Sequence, residues 1–254
     1  MLNPDRLSRL EKVLEHIIIV YIELGIPVGS VTLRDRASLD LSPATIRNIM
    51  SELEEMGFIA QPHTSAGRTP TDLGYRYYLD KIMQPEAVKE SDKDRIYHVC
   101  DSSKDGLDIL LEKMSKLLSE MSSEASLVLF PKSKKNTLKE IKLVSFGWYH
   151  LLEQPEFKDT LKTNRLLKVI EEKEELMDSV EAGKAGKEVR VFIGAENRCI
   201  QIKDCSVVLS GYGADDESIG AIGVIGPTRM PYKRVVPMVD FIAKQIDEVF
   251  ESGL

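Results

Sequence analysis

Residues 28–78 of the chain read VGSVTLRDRASLDLSPATIRNIMSELEEMGFIAQPHTSAGRTPTDLGYRYY, and their helix and strand patterns predict the architecture of the N-terminal region. A first helix pattern covers residues 29–36, and a tight turn is expected at residues 38–41. A second helix pattern covers residues 42–57 and is followed by a polar loop between two short strand patterns. Two helices followed by a hairpin, in this order, are typical of a winged helix-turn-helix domain, which binds DNA.

The ends of the second helix are marked by residues with well-defined capping roles. Ser42 is the predicted N-cap, because its hydroxyl can accept a hydrogen bond from an amide of the first turn. Pro43 suits the first helical position, which needs no N–H donor, and Gly57 suits a left-handed C-cap. Ser30 is the predicted N-cap of the first helix. The predicted core residues of that helix are Val31 and Leu33.

The second helix combines an apolar stripe with a polar face. The polar face carries Thr45, Arg47, Asn48 and Ser51, near the end that enters a major groove in such domains. Arginine can donate twice to guanine and asparagine can pair with adenine, so this face has the chemistry to contact base edges. Taken alone, the same residues are also typical of an ordinary solvent-exposed face. The predicted apolar stripe consists of Ile46, Ile49, Leu53 and Met56.

The hairpin supplies a second group of predicted DNA contacts. Residues 58–61 and 69–71 are the predicted strands, and Pro70 implies an edge position for the second one. Arg68 is expected to enter a minor groove or to bind the phosphate backbone, and the alternative is a solvated loop cation. Thr64, Ser65 and the backbone amides near Gly67 are further predicted phosphate donors, and Arg76 is free to contact phosphate. Ser42 and His63 complete the residues predicted to contact DNA.

These stretches closely resemble one protein family, the heat-inducible transcription repressor HrcA family of bacteria. The N-terminal matches are PVGS at 27–30, LSPATIRN at 41–48, QPHTSAGRTPTD at 61–72 and GYRYY at 74–78. The C-terminal matches are LLEQPEF at 151–157 and GAIGVIGPTRM at 220–230.

The resemblance implies a function and partners. It implies a homodimeric repressor that binds an inverted-repeat operator in double-stranded DNA ahead of chaperone operons and is released on heat stress. It also implies that the GroE chaperonin helps to keep the repressor active. No cofactor is expected.

The chain departs from the family pattern at two places. Ile49 follows the Arg-Asn pair where the family usually has an acidic residue. The family also carries a longer middle region, with a dimerisation domain inserted into a GAF-like domain. Here the strand pattern of residues 140–146 runs almost directly into residues 148–152, so most of that insert is expected to be missing and the mode of dimerisation is open.

Composition is consistent with a cytoplasmic regulator of two domains. The chain has 254 residues, 43% of them hydrophobic, which is enough for two cores. The three cysteines have no metal-type spacing, and neither a secretion signal nor a membrane span is expected. The net charge of −7 opposes DNA binding at long range, so affinity must come from local arrangement. Glu54 and Glu55 are accordingly expected to point away from the duplex.

The two predicted domains are residues 1–83 and residues 94–254, joined by a polar linker at 84–93. In the first domain, a helix over residues 5–24 supports the helix pair. After the hairpin, Asp72 is the predicted cap of a further helix. Its tyrosines Tyr75, Tyr77 and Tyr78 suit either base stacking or, as we favour, packing of the hairpin onto the domain.

The second domain is predicted to be α+β, with an antiparallel sheet and covering helices. A helix from Leu107 is expected to pack on the sheet, with part of its apolar stripe shared at a dimer interface. A second helix pattern ends at Gly183, and a last helix at 233–251 covers one face of the sheet. The family resemblance adds that this domain is GAF-like. The predicted strands are residues 125–130, 141–146, 189–193, 199–202, 205–210 and 218–225, with a basic turn at 131–139.

Catalysis and metal binding are not expected from the sequence. The four histidines are scattered, no nucleophile lies in a recognisable motif, and the glycines at 220, 223 and 226 lie inside a strand pattern where they permit close packing. The acidic residues at 204 and 215–217 lack EF-hand spacing and indicate a surface turn. Besides a repressor of chaperone operons, two interpretations stay open: a metabolite-responsive winged-helix regulator, and an adaptor that uses this domain to bind proteins.

Overall fold

The chain forms two compact units, Met1–Gln84 and Pro85–Leu254. The computed structural model describes residues 4–37, 39–64, 66–101, 106–130, 143–171, 186–213 and 218–251. The polar stretch predicted as a linker at 84–93 is shorter than expected, because a helix already begins at Glu90.

Three helices form the body of the N-terminal unit: α1 (Pro4–Leu24), α2 (Ser30–Ala37) and α3 (Pro43–Glu55). The period of apolar residues in α1 gives the helix a fully buried side, as predicted. That side consists of Leu10, Val13, Leu14, Ile17, Ile18 and Val20.

The predicted N-cap of α3 is confirmed. At the other end the C-cap is Met56, and Gly57 is the residue after it. The predicted N-cap of α2 also needs correction. Ser42 Oγ accepts from the Thr45 amide at 3.1 Å, and Gly57 adopts a left-handed φ of 78°. Ser30 is the first residue inside α2 rather than its N-cap. The first helical hydrogen bond runs from the Leu33 amide to the carbonyl of Gly29, the residue before Ser30. Val31, predicted to be buried, is 48% exposed, whereas Leu33 is buried.

A short hairpin follows α3 and is tied back to the segment before α2. Strands β1 (Ile59–Ala60) and β2 (Thr69–Pro70) pair antiparallel. Arg68 extends the second strand, and its amide and carbonyl exchange hydrogen bonds of 2.9 and 2.8 Å with Val28. The backbones approach so closely that a Cβ on Gly67 would lie 2.5 Å from the Val28 carbonyl oxygen.

The tyrosines after the hairpin pack inside the N-terminal unit. Helix α4 (Asp72–Tyr77) continues into a π-helical turn at Tyr78–Ile82. Its N-cap is Thr71 and not Asp72, because the Thr71 hydroxyl accepts from the Gly74 amide. Tyr75 and Tyr78 are buried, and Tyr77 packs on Phe58 with ring centroids 4.7 Å apart. Burial and a hydrogen bond to Glu11 raise the pKa of Tyr77 to about 12.

The C-terminal unit is built on a five-stranded antiparallel sheet. Every residue of the three central strands is buried, so both faces of the sheet are covered and not one alone. The strands are β3 (Ala125–Leu129), β4 (Leu143–Phe146), β5 (Arg190–Ile193), β6 (Cys205–Tyr212) and β7 (Gly220–Pro227). Their order across the sheet is β4-β3-β7-β6-β5, so the central strands are β3, β7 and β6.

The helices divide between the two faces of the sheet. On one face α6 (Leu107–Ser122) packs on β3, β4 and β7, and α9 (Tyr232–Glu251) packs mainly on β6. The other face holds a core cluster that includes Leu127 and Leu209 of the sheet with Leu151, Phe157 and Leu166 of the covering segments. The helices of this unit are α5 (Glu90–Asp101), α6 (Leu107–Ser122), α7 (Trp148–Glu153), α8 (Thr160–Glu171) and α9 (Tyr232–Glu251), and short 3₁₀ turns occupy Pro155–Lys158, Gly194–Glu196 and Ile200–Ile202.

Several predictions for the C-terminal unit differ from the structure or fall outside it. Residues 199–202 were expected to form a strand, but Ile200–Ile202 is a 3₁₀ turn in which Ile202 is buried and Ile200 is 69% exposed. The stripe of α6 packs on the sheet as predicted. The basic turn at 131–139, the helix end at Gly183 and the acidic residues at 215–217 lie outside the described residues.

The close approach at Gly67 generates a stability prediction. We expect G67A to destabilise the N-terminal unit by about 1–3 kcal/mol, because the added methyl overlaps the Val28 backbone and must push the hairpin away. Hydrogen exchange of the Val28 and Arg68 amides measures this. G29A is the control, since a Cβ there meets its nearest neighbour, Thr32 Oγ1, at 3.9 Å. Unchanged protection of these amides in G67A would show that the added methyl does not displace the hairpin.

Candidate nucleic-acid interface

Helix α3 separates its residues into a buried side and an exposed side. Ile46, Met50 and Leu53 are buried against the rest of the N-terminal unit. The predicted stripe needs correction at two positions: Met56 is 37% exposed and Ile49 is only partly buried, whereas Met50, which was not predicted, is in the core. The four residues predicted to contact bases are all exposed: Thr45, Arg47, Asn48 and Ser51.

Arg47 links α3 to the start of α2. Its Nε donates to Ser30 Oγ at 3.2 Å, and the Ser51 hydroxyl donates to the Arg47 carbonyl at 3.1 Å. The Ser30 hydroxyl is therefore used by Arg47 rather than as a helix cap. This contact spans 17 residues of sequence, and no local pattern indicated it.

A cleft of about 280 Å³ opens between α3, the start of α2 and the hairpin. Its wall combines polar side chains and backbone of all three elements. The cleft therefore lies beside the exposed face of α3. Residues lining it include Ser30, Arg47, Ser51, Gly67 and Arg68.

Arg68 forms an ion pair with Glu54 of α3. Arg68 Nε and Nη2 lie 2.9 and 2.8 Å from Glu54 Oε2, and the two side chains are 20% and 35% exposed. Glu54 was expected to point away from DNA. It instead contacts Arg68, which is itself a predicted DNA contact. A second carboxylate of the helix, Glu52, is paired with Arg6 at 3.0 Å.

The remaining predicted contact residues surround this surface or lie farther along the chain. Ser42 is exposed at the start of α3, and its hydroxyl lies 2.9 Å from Thr45 Oγ1. His63 and Thr64 are exposed in the hairpin loop, whereas Ser65 lies outside the described residues. Arg76 lies 3.3 Å from Asp80 in a pair within one helical segment.

The C-terminal unit contains a separate, buried polar cluster that the sequence did not indicate. Glu124 is 4% exposed at the start of β3, and its Oε2 has no hydrogen-bond partner among the described residues. A Cβ on Gly226 would lie 2.3 Å from this oxygen, so the glycine makes room for the carboxyl group. Nearby, Arg229 donates to Glu156 and, at 2.7 Å, to Gln154 Oε1.

Burial raises the pKa of Glu124 to about 8; the positive charge of Arg229 lowers it and the negative charge of Glu156 raises it. In the unfolded chain the same carboxyl group ionises near 4.5. At a pH between these two pKa values, Glu124 keeps its proton in the folded state and has released it in the unfolded state. Stability is therefore lost as pH rises from about 4.5 to about 8.

Comparisons with known proteins place the chain in a family. Residues 144–236 match the family model described as HrcA protein C terminal domain. The chain is 30% identical to the heat-inducible transcription repressor HrcA of Carboxydothermus hydrogenoformans, over 95% of this chain and 97% of that one. It is 29% identical to the protein of the same name from Pelotomaculum thermopropionicum, over 96% and 97%. The chain belongs to the HrcA family.

These alignments also show a difference in length. The alignment with the C. hydrogenoformans protein spans 334 positions, more than the 254 residues of this chain, so the relative carries residues that this chain lacks. A crystal structure described as a hypothetical protein superposes with a TM-score of 0.75 at 20% identity, covering 99% of both chains. The fold of this chain is therefore one already seen in a solved structure.

The described residues contain neither a membrane-spanning helix nor a cluster of metal ligands. Within those ranges, no helix has both the length and the apolar character needed to cross a membrane. In the same part of the chain, no three histidine, cysteine or acidic side chains are grouped so that they could hold a metal ion.

The buried carboxyl group generates a pH prediction. We expect E124Q to raise the melting temperature at pH 8 by about 5 °C, corresponding to a few kcal/mol, because the amide avoids burying a charge. Between pH 5 and pH 8 the wild type is expected to lose stability more steeply than E124Q. Thermal unfolding across this range measures both effects.

E153Q serves as the control, because Glu153 is exposed and the substitution removes the same charge. Other titrating groups affect all three proteins equally. A pH profile of E124Q that coincides with that of the wild type would show that Glu124 is not a buried acid.

Proposed function

We propose that the N-terminal unit is a winged helix-turn-helix domain and that the chain represses heat-shock chaperone operons by binding their operators. The observation that carries this proposal is the exposed face of α3 beside the hairpin, with its opposite face buried. A helix held in this way can enter a major groove while the hairpin contacts the adjacent backbone. Membership of a family named for heat-inducible transcription repressors supports the same function.

The proposed contacts follow from side-chain chemistry. Arg47 donates to guanine and Asn48 pairs with adenine, while Thr45 and Ser51 contact base edges or phosphates beside them. Arg68 binds the phosphate backbone or a minor groove. Phosphate contacts come from Ser42, His63, Thr64, Ser65 and Arg76.

The pairing of acidic side chains supports DNA binding by a chain of net charge −7. Glu52 and Glu54 lie in the helix proposed to enter the groove, and each is paired with an arginine. Their charges are thereby offset locally, so that phosphates approaching this surface meet less repulsion than the net charge suggests. No catalytic role and no cofactor are proposed.

We propose that the repressor acts in the cytoplasm as a homodimer on an inverted repeat, because a single short helix makes few base contacts and two-fold symmetry doubles them. The C-terminal unit is proposed to be a GAF-like domain that carries the dimer contacts, in a chain shorter than its relatives. The GroE chaperonin is the proposed partner that restores the active fold.

Release on heating is proposed to follow from limited stability of the C-terminal unit. Glu124 supports this proposal, because a buried acidic group whose pKa is raised to about 8 lowers stability at neutral pH. A few kcal/mol is a large share of the stability of a typical domain. The unit can therefore lose its fold over a small rise in temperature.

The role of Arg47 is tested by removing its guanidinium group. We expect R47A to lose about 1–3 kcal/mol of binding free energy for the operator and much less for random DNA, because base contacts carry the sequence preference. Titrations of both duplexes by fluorescence anisotropy give the two values. R34A, which removes an exposed arginine of α2, is the control. An equal loss on operator and random DNA would reassign Arg47 to phosphate contact.

The heat response is tested with operator binding before and after mild heating. Wild-type protein is expected to lose operator binding on heating and to regain it only when chaperonin and ATP are added. Electrophoretic mobility shifts at each step give the active fraction, and unheated protein is the control. Full spontaneous recovery on cooling would remove the need for that partner.

A further inference from the structure

Arg68 lies where three elements of the N-terminal unit meet. Its backbone forms a bridge to Val28, ahead of α2, through hydrogen bonds of 2.8 and 2.9 Å. Its side chain reaches across to Glu54, the last residue but one of α3. The hairpin is thus fixed to the rest of the unit by both the backbone and the side chain of a single residue.

The hairpin needs such attachments because it is short. Strands β1 and β2 are two residues each, with only the register pairs Ile59 with Pro70 and Ala60 with Thr69. Two-stranded hairpins are marginally stable by themselves. Contacts from outside the hairpin therefore determine how the hairpin is oriented relative to α3.

The ion pair leaves Arg68 able to contact a further group. Both Nε and Nη2 donate to the same carboxylate oxygen, Oε2 of Glu54, and Nη1 is the nitrogen that this pair does not use. A guanidinium plane that is held at two nitrogens has lost most of its rotational freedom before any ligand binds. Preorganisation of this kind reduces the entropy cost of binding.

We propose that Glu54 is a positioning residue for DNA binding: through Arg68 it fixes the hairpin at the angle at which the loop and the exposed face of α3 contact one duplex together. This inference rests on the proposed function and deepens it. It assigns a specificity role to an acidic side chain, which by charge alone would only oppose binding.

The two roles of Glu54 predict opposite results. If Glu54 is only a negative charge beside DNA, removing it strengthens binding to every duplex, because one source of phosphate repulsion is gone. If it positions the hairpin, removing it weakens binding to the preferred sequence and leaves non-specific binding unchanged or stronger. Partly exposed ion pairs contribute little to folding, so the variant is expected to remain folded.

Glu55 provides the matched control. It is the next residue of α3, is exposed, and carries the same charge, so E55Q changes net charge equally without affecting the Arg68 pair. E54D keeps a carboxylate at position 54 and tests for rescue. Circular dichroism and the melting temperature establish that each full-length variant is folded.

The experiment uses two DNA probes: a duplex selected from a random-sequence pool by the wild-type protein, and a scrambled duplex of the same composition. We expect E54Q to reduce the preference for the selected duplex about tenfold, with unchanged or stronger binding to the scrambled one. E55Q is expected to keep the wild-type preference. E54D is expected to prefer the selected duplex at least about threefold more strongly than E54Q does.

Equal duplex preference of E54Q and E55Q, or no recovery in E54D, would overturn the positioning role. The proposed function would still hold in that case, provided that the wild type selects a duplex. Failure of the wild type to select any duplex would instead overturn the proposed function, and the positioning role with it.

Discussion

Burial of one side of α3 is the constraint on which the candidate interface depends. Successive residues of an α-helix are rotated by about 100°, so fixing Ile46, Met50 and Leu53 in the core also fixes the direction of every other side chain. Thr45, Arg47, Asn48 and Ser51 fall within the opposite half of the helix and are exposed. Burial of the apolar side of the helix therefore places these four polar side chains together on the exposed side, and this requires no contact with DNA.

Two contacts with neighbouring elements then hold this face in place. Arg47 contacts Ser30 at the start of α2, and Glu54 contacts Arg68 in the hairpin. Each contact is weak on its own because each is partly solvated. Together they join α2, α3 and the hairpin around one cleft, so the surface behaves as a composite of three elements and not as an isolated helix.

The sequence predicted those parts of the structure that local chemistry determines. Ser42, Pro43 and Gly57 marked α3 correctly, and alternating apolar runs identified the five strands of the C-terminal sheet. The Arg68–Glu54 pair and the partner of Arg47 could not be predicted, because they join residues 14 and 17 positions apart in sequence. The apolar run at 199–202 was ambiguous for a related reason, since only tertiary packing decides between a strand and a turn.

Site-specific photo-crosslinking shows whether the exposed face of α3 lies against DNA. A benzophenone amino acid is placed at Asn48 and, in a second protein, at Arg9, an exposed residue of α1. Each full-length protein is irradiated with a duplex selected from a random-sequence pool. If α3 enters the groove, covalent protein–DNA adducts form from position 48 and none form from position 9. Adducts absent from position 48, or formed equally from both positions, would contradict this placement of α3.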